Sequence, residues 1–272
     1  MRRLARCVCE PELSSRLTVA EIRARLESAQ GSELAGLIEE YADDPRAGVR
    51  SACDRASSVA AASRDEVERT RRLYHLERTL QSQGCALVAG VDEVGRGALA
   101  GPLTAAAVVL APHPHIEGLD DSKRLTPRRR EELSAVIHAR AIAVSISHVP
   151  AEDVDALGVT AALKRAIVSA LAGLGREPDH VVIDGLPLRI VERETAVVKG
   201  DSKVAAIAAA SIVAKVARDQ LMRDFAVEYP EYGFEINKGY GTAEHIAAIA
   251  RIGPTVLHRR SFSVGGGTMP LF

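Results

Sequence analysis

Two apolar runs joined by a glycine turn constrain this chain more than anything else in it. Residues 86–110 read Ala86-Leu-Val-Ala-Gly-Val-Asp92-Glu93-Val-Gly95-Arg96-Gly97-Ala-Leu-Ala-Gly101-Pro102-Leu-Thr-Ala-Ala-Ala-Val-Val-Leu110. Apolar runs of this length, bounded by turn residues, predict buried strands. The first run ends in two carboxylates, and a turn holding one arginine leads into the second. Carboxylates at the end of a core strand are costly unless they bind a cation or are paired. The pattern therefore asks for a sheet and for a cation at its end. Neighbouring strand residues point to opposite faces. Asp92 is expected to bridge the metal ions. Glu93 is expected to be more peripheral, acting through its backbone carbonyl or from behind the ligands unless the strand breaks there.

Strand and helix patterns alternate from this point to about residue 252. Thr126 with Pro127 at the first helical position predicts a helix to about residue 139, and residues 141–149 read as a strand. Residues 151–157 read as a short helix, and Gly158-Val159-Thr160 opens a longer one. Val181-Val182-Ile183-Asp184-Gly185 and residues 195–198 read as strands. A helix over about 203–228 is apolar nearly all round and should be buried. Its small residues allow close approach to a sheet. A last helix ends near Ile252. The expected class is α/β, a mixed sheet flanked by helices. Residues 1–80 differ, with helical patterns over about 18–29, 32–42, 46–60 and 65–83 and no strand signal. Thr18 and Glu21 fit a capping box, and Ser63 fits a cap. The expected organisation is a helical extension over 1–80, a main α/β domain over 81–263 and a tail over 264–272.

Three predicted strand ends carry acids: Asp92 with Glu93, Asp184, and Asp201. Alone, Asp201 could be an N-cap and Asp184-Gly185 a turn; their coincidence is what points to a site. Ligands gather where strands of such sheets leave the core. Acids with no attending His or Cys favour hard cations, Mg²⁺ or Mn²⁺. Two such ions can activate water and stabilise the leaving oxygen of a phosphodiester. The Gly95-Arg96-Gly97 turn is followed by Pro102 and an apolar run rather than a helix, which excludes a dinucleotide-binding loop. It suits close approach of backbone to a sugar, with the arginine reaching a phosphate.

Net charge is −1, so any nucleic acid must be held by a local basic groove rather than a global field. Residues 1–85 hold 14 Arg, no Lys and 14 acids, a poor basis for phosphate binding by charge. Cys7, Cys9, Cys53 and Cys85 lack zinc spacing and fit reduced thiols in a cytoplasmic protein. No apolar run has transmembrane length.

The motifs closely resemble one family, bacterial ribonuclease HII, the type 2 ribonucleases H. The matching segments are Ala89-Gly-Val-Asp-Glu-Val-Gly-Arg-Gly97 with Ala100-Gly-Pro102, Asp121-Ser-Lys123, Ile183-Asp-Gly185, Lys199-Gly-Asp-Ser202 with Ile207-Ala-Ala-Ala-Ser-Ile212 and Ala214-Lys-Val216, Lys238-Gly-Tyr-Gly-Thr242, and His258-Arg-Arg-Ser-Phe262. No catalytic position departs from the family pattern. The resemblance implies a ribonuclease H-like five-stranded mixed sheet. It implies a metal-dependent endonuclease that cuts the RNA strand of RNA–DNA hybrids and the 5′ side of a lone ribonucleotide in duplex DNA, leaving 3′-hydroxyl and 5′-phosphate ends. It puts the four acids on Asp92, Glu93, Asp184 and Asp201, and the ribonucleotide-sensing loop on Gly95, Arg96 and Gly97. It puts the sugar-packing tyrosine on Tyr240 and phosphate contacts on Lys123 and Lys238. Lys215, inside the apolar helix, reads as a snorkelling or paired structural residue. Residues 1–80 resemble the helical extension of some Gram-positive members. Thr268-Met-Pro-Leu-Phe272, after a triple glycine, resembles a sliding-clamp-binding peptide but lacks the glutamine. The competing readings are a nuclease of the same superfamily acting on DNA alone and a non-catalytic hybrid-binding protein. The Gly-Arg-Gly turn with Tyr240 weighs against the first and the four acids against the second.

Overall fold

The computed structural model describes residues 17–262; Cys7, Cys9 and the segment 268–272 lie outside that range. Two compact units divide between Val67 and Glu68. The first is all-helical: α1 (Val19–Ser28), α2 (Gly31–Glu40) and most of α3 (Ala47–Leu73). Thr18 and Glu21 form the expected capping box. Arg46 grips Asp44 with two hydrogen bonds and donates to the Leu17 carbonyl at 2.7 Å, tying the start of α3 to the start of α1. Ile22, Leu26, Leu37, Val49, Ala52 and Cys53 make a small core.

The helix break expected at 61–64 is absent. Ala60-Ala-Ala-Ser63 holds no glycine or proline, so nothing there stops a helix, and Ser63 sits inside α3 rather than capping one. The break falls at Tyr74, before α4 (His75–Ser82). Tyr74 turns inward: its hydroxyl accepts the Ile116 N–H at 3.0 Å and its ring stacks on His115.

The second unit holds a five-stranded sheet in the order β3-β2-β1-β4-β5. Its strands are β1 (Val88–Val94), β2 (Leu103–Val109), β3 (Ala143–Val149), β4 (His180–Asp184) and β5 (Glu194–Val197). β1–β2 and β2–β3 are antiparallel, while β1–β4 and β4–β5 are parallel. The helices are α5 (Pro127–Arg140), α6 (Ala151–Leu157), α7 (Val159–Ala172), α8 (Ala205–Glu228), α9 (Phe234–Asn237) and α10 (Ala243–Ile252). Alternation along the strands sorts two cores. Val88, Ala106, Val108 and Val182 face α8, whereas Ala89, Val91, Leu103, Ala105, Ala107 and Ile183 face α7.

α8 lies so close to β1 that a Cβ on Gly90 would come within 2.1 Å of the Ala206 backbone. That contact explains the glycine in the first strand and the alanines in the helix. The first turn of α8 lacks a capping side chain, because Val204 occupies the cap position. Glu77 of α4 supplies it instead, accepting the Ala206 N–H at 2.7 Å. Burial raises the Glu77 carboxyl to about 7. A domain boundary at 80/81 would cut this cap away from α8. Cys53 and Cys85 are buried free thiols, and no described helix is long and apolar enough to cross a membrane.

Candidate active site

Asp92 and Glu93 close β1, and the strand stays regular through both, Asp92 opposite Ala106 and Glu93 opposite Ala105. The two side chains therefore leave on opposite faces, as the sequence pattern requires. Asp92 lies on the α8 face, is 7% exposed, and is hydrogen-bonded by Ser211 of α8. Ser211 is in turn held by Ser122, Oγ to Oγ 2.8 Å. Asp184 ends β4. The parallel register Val91 to Ile183 sets it beside Asp92 on the same face.

Asp201 sits in a 3₁₀ turn, Gly200–Ser202, between β5 and α8. It does not cap α8, which begins four residues later. The turn is entered through Lys199 at φ +56°, a left-handed conformation of the kind found at sites that need a strained backbone. That geometry aims the Gly200 N–H at Asp184 Oδ1, 2.6 Å away. A Cβ on Gly200 would meet Ile207 at 2.6 Å and that carboxylate at 3.3 Å.

The acids repel one another. Burial, then Glu93 and Asp184, push the Asp92 carboxyl well above the usual range. Burial also raises Glu93, with Arg96 opposing and Asp184 adding. Burial, then Asp121 and Asp184, raise Asp201. Lys123 reaches in from the loop before α5, 3.8 Å from Asp201 and 4.0 Å from Asp121. Burial presses its ammonium down, but Asp121, Asp201, Asp92 and Asp184 outweigh that and raise it. Asp121 is thus a fifth acid beside the site, and it appeared in the sequence only as the neighbour of Lys123.

Among the described residues, no three His, Cys, Asp or Glu side chains form a group that could by itself hold a metal ion. The acids gathered here offer only oxygen donors, the chemistry that suits Mg²⁺ or Mn²⁺, and Mg²⁺ usually takes one or two carboxylates with waters and substrate phosphate oxygens completing its shell.

The glycine loop follows directly. Gly95 has φ +85°, and a Cβ there would lie 2.2 Å from Arg218 Nε. Arg218 is fully buried. It donates to the carbonyls of Pro102 (2.9 Å), Ala100 (3.0 Å) and Lys238 (2.9 Å). Arg259, also fully buried, donates to the carbonyls of Gly101 and Arg96, both at 3.0 Å. Burial, with Arg218 beside it, lowers Arg259 to about 10, so it stays charged at neutral pH. Gly239 (φ +80°) backs onto Ala100, and its carbonyl accepts from the Leu99 and Ala100 N–H groups. The loop and the Lys238-Gly239-Tyr240 turn are therefore one knitted piece.

Arg96 points outward, 60% exposed, with a guanidinium nitrogen 3.9 Å from Glu93. Gly97 is open, with nothing within 4 Å of a built Cβ. Tyr240 is half-buried beside the Arg218 guanidinium, 5.3 Å from its ring centroid. Lys238 is left-handed (φ +52°), and its ammonium folds back on the Glu235 carbonyl. Lys215 pairs with Asp219 at 2.7 Å, a structural pair as expected.

The family model described as Ribonuclease HII matches residues 89–264, and that of the Ribonuclease HII N-terminal domain matches residues 18–81. The chain belongs to the ribonuclease HII family. Ribonuclease HII of Moorella thermoacetica is 52% identical over 202 residues, 74% of this chain and 98% of that protein. Ribonuclease HII of Bacillus subtilis is 40% identical over 247 residues, 91% of this chain and 96% of that protein. The solved PCNA:RNase HII complex from Archaeoglobus fulgidus matches with a TM-score of 0.56 at 26% identity, over 67% of this chain and 98% of that one. As a ribonuclease HII the chain is a ribonuclease H, a metal-dependent endonuclease.

Proposed function

We propose that this ribonuclease HII cuts the RNA strand of RNA–DNA hybrids and the 5′ side of single ribonucleotides embedded in duplex DNA, leaving 3′-hydroxyl and 5′-phosphate ends. The observation that carries the reading is the direct succession, on one strand end, of the buried acids and the arginine-held glycine loop. Asp92, Glu93, Asp184 and Asp201 are the metal-holding groups, with Asp92 central. Glu93, on the other face of β1, is peripheral and ties the site to Arg96. Bound there, two divalent cations, Mg²⁺ or Mn²⁺, supply an activated water and charge stabilisation at the leaving oxygen.

The chain's own groups do the selecting. Only the 2′-hydroxyl marks a ribonucleotide within DNA. The open backbone at Gly95-Arg96-Gly97 can meet that hydroxyl without demanding a base, and Tyr240 supplies a face for the adjoining sugar. Lys123 and Lys238 take neighbouring phosphates. Residues 81–263 carry the catalytic groups; within 1–80, the stretch from Glu68 on belongs with them, Glu77 capping α8, and the helical unit before it is accessory. Residues 268–272 are proposed as a sliding-clamp peptide, since the Archaeoglobus fulgidus relative is solved with PCNA. Unchanged clamp binding after their deletion would remove that assignment.

The deciding assay compares three duplexes with Mg²⁺ and with Mn²⁺: uniform hybrid, one embedded ribonucleotide, and all DNA. Cleavage of the first two, with the second cut 5′ of the ribonucleotide, is expected. Equal cutting of all-DNA duplex would return the chain to a nuclease that does not sense the 2′-hydroxyl.

A further inference from the structure

Behind the Tyr240 turn lies a buried histidine pair that the proposed chemistry does not use. His245 of α10 is 0% exposed and His258 2%. Their Nε2 atoms are 3.1 Å apart. The neighbours around them are aromatic: Tyr232 centres 5.0 Å from His258, and Phe234 5.4 Å from His245. Burial in that box lowers His245 and keeps it neutral at pH 7; burial, with His245 beside it, lowers His258 to about 4.

Neutrality and partners together fix both tautomers. The Thr255 N–H, which can only donate, points at His258 Nδ1 from 2.9 Å. His258 Nδ1 therefore accepts, and its hydrogen is on Nε2. That hydrogen is given to His245 Nε2, so the His245 hydrogen is on Nδ1. From there it is given to the Tyr240 carbonyl at 2.9 Å. The chain runs one way: Thr255 N–H to His258, His258 to His245, His245 to Tyr240.

The destination matters. Tyr240 stands between Gly239 and Gly241, which leave its backbone free to swing. Three successive carbonyls restrain it. Lys238 is held by Arg218, Gly239 by the Leu99 and Ala100 N–H groups, and Tyr240 by His245 with the Thr242 N–H. The first two tie the turn to the glycine loop. The third, from α10, sets the rotation of the peptide that follows the tyrosine.

We propose that His245 and His258 are positioning residues for Tyr240, a neutral hydrogen-bond chain that aims its ring at the sugar of an embedded ribonucleotide. This rests on the reading of Tyr240 given above. The test uses the full-length protein and the ratio of kcat/KM on a single-ribonucleotide duplex to that on uniform hybrid. An Asn amide nitrogen replaces Nδ1, and a Gln amide reaches only toward Nε2. His245→Asn should keep the ratio within about threefold, and His245→Gln should lower it about tenfold. Placed on Tyr240→Ala, His245→Gln should add no further loss.

A Tyr240→Ala variant with an unchanged ratio would overturn the reading of Tyr240 itself. A lowered ratio in Tyr240→Ala but not in His245→Gln, or losses that add in the double variant, would overturn the positioning role alone. Two-bond ¹H–¹⁵N spectra of the wild-type protein give a check independent of folding in the variants. The chain requires a protonated Nδ1 on His245 and a protonated Nε2 on His258, and the opposite assignment contradicts it.

Discussion

Two neighbouring regions bury charge in opposite ways. Around the end of β1, Asp92, Glu93, Asp184 and Asp201 are crowded with like charge, and three of the four are raised, Asp92 well above its ordinary value. A few residues on, Arg218 and Arg259 are just as buried, yet each is matched to backbone carbonyls. A buried charge without a partner is a large penalty; one with its hydrogen bonds made is a rigid brace. The acid end is left strained and so is ready for cations. The loop beside it is satisfied and so holds its shape. On the proposed assignment, reactivity and selectivity are thereby kept on adjacent but differently built pieces.

The sharpest way to break this contrast is at Asp92. Asp92→Asn removes the proposed central metal ligand while keeping its shape, and should lower cleavage roughly 10³-fold, several kcal/mol of lost charge stabilisation. Hybrid binding, followed by fluorescence anisotropy, should persist. Loss of binding together with cleavage would place Asp92 in the recognition surface instead.

Next comes the satisfied side. Arg218→Ala strands three carbonyls, two of them buried and one part-buried, each worth about 1–3 kcal/mol where buried. A loss of about 3 kcal/mol or more is expected, a fall in melting temperature of roughly 6–12 °C for a chain of this size. A fall of only a degree or two would show that the loop does not depend on its arginine.

The third test is the pH response, where the acid end and the buried histidine pair have opposite signs. His258 is lowered from 6.5 to about 4. Between those values the unfolded chain binds a proton that the folded chain refuses, so stability falls as pH drops. The loss is on the order of 3 kcal/mol by pH 4. Asp92, Glu93 and Asp201 are raised, so the folded chain holds protons that the unfolded chain releases. They add stability as pH drops toward their ordinary values. Denaturant titrations from pH 7 to pH 4.5 should therefore show a steeper decline in Asp92→Asn than in the wild type. Parallel curves would contradict the raised carboxyl.

Much of this was legible in the residues. Strand alternation, the apolar helix and the acids at strand ends follow from local patterns, and the structure has the five strands and the helices α5 to α8 and α10 close to where those patterns put them. The opposed faces of Asp92 and Glu93 follow from strand geometry alone. Contacts that join distant segments were not legible. Arg218 is one arginine in a helix until the 95–102 loop wraps it, though it lies seven residues after Ser211, on the same inner face. Arg259 was quoted in a motif without a role. Glu77 capping α8 spans 129 residues, and no local spacing predicts it. The helix break at Tyr74 likewise depends on His115 and Ile116, so the sequence placed it near Ser63.

On the proposed assignment, the acid end is a strained carboxylate cluster that divalent cations relieve. Thermal melts of wild type and Asp92→Asn, each with EDTA and with Mg²⁺ or Mn²⁺, test it most directly. The wild type should melt several degrees higher with metal. Asp92→Asn should be at least as stable as the wild type in EDTA and should gain little from metal. Equal metal-dependent gains in both proteins, or a variant clearly less stable than the wild type in EDTA, would contradict it.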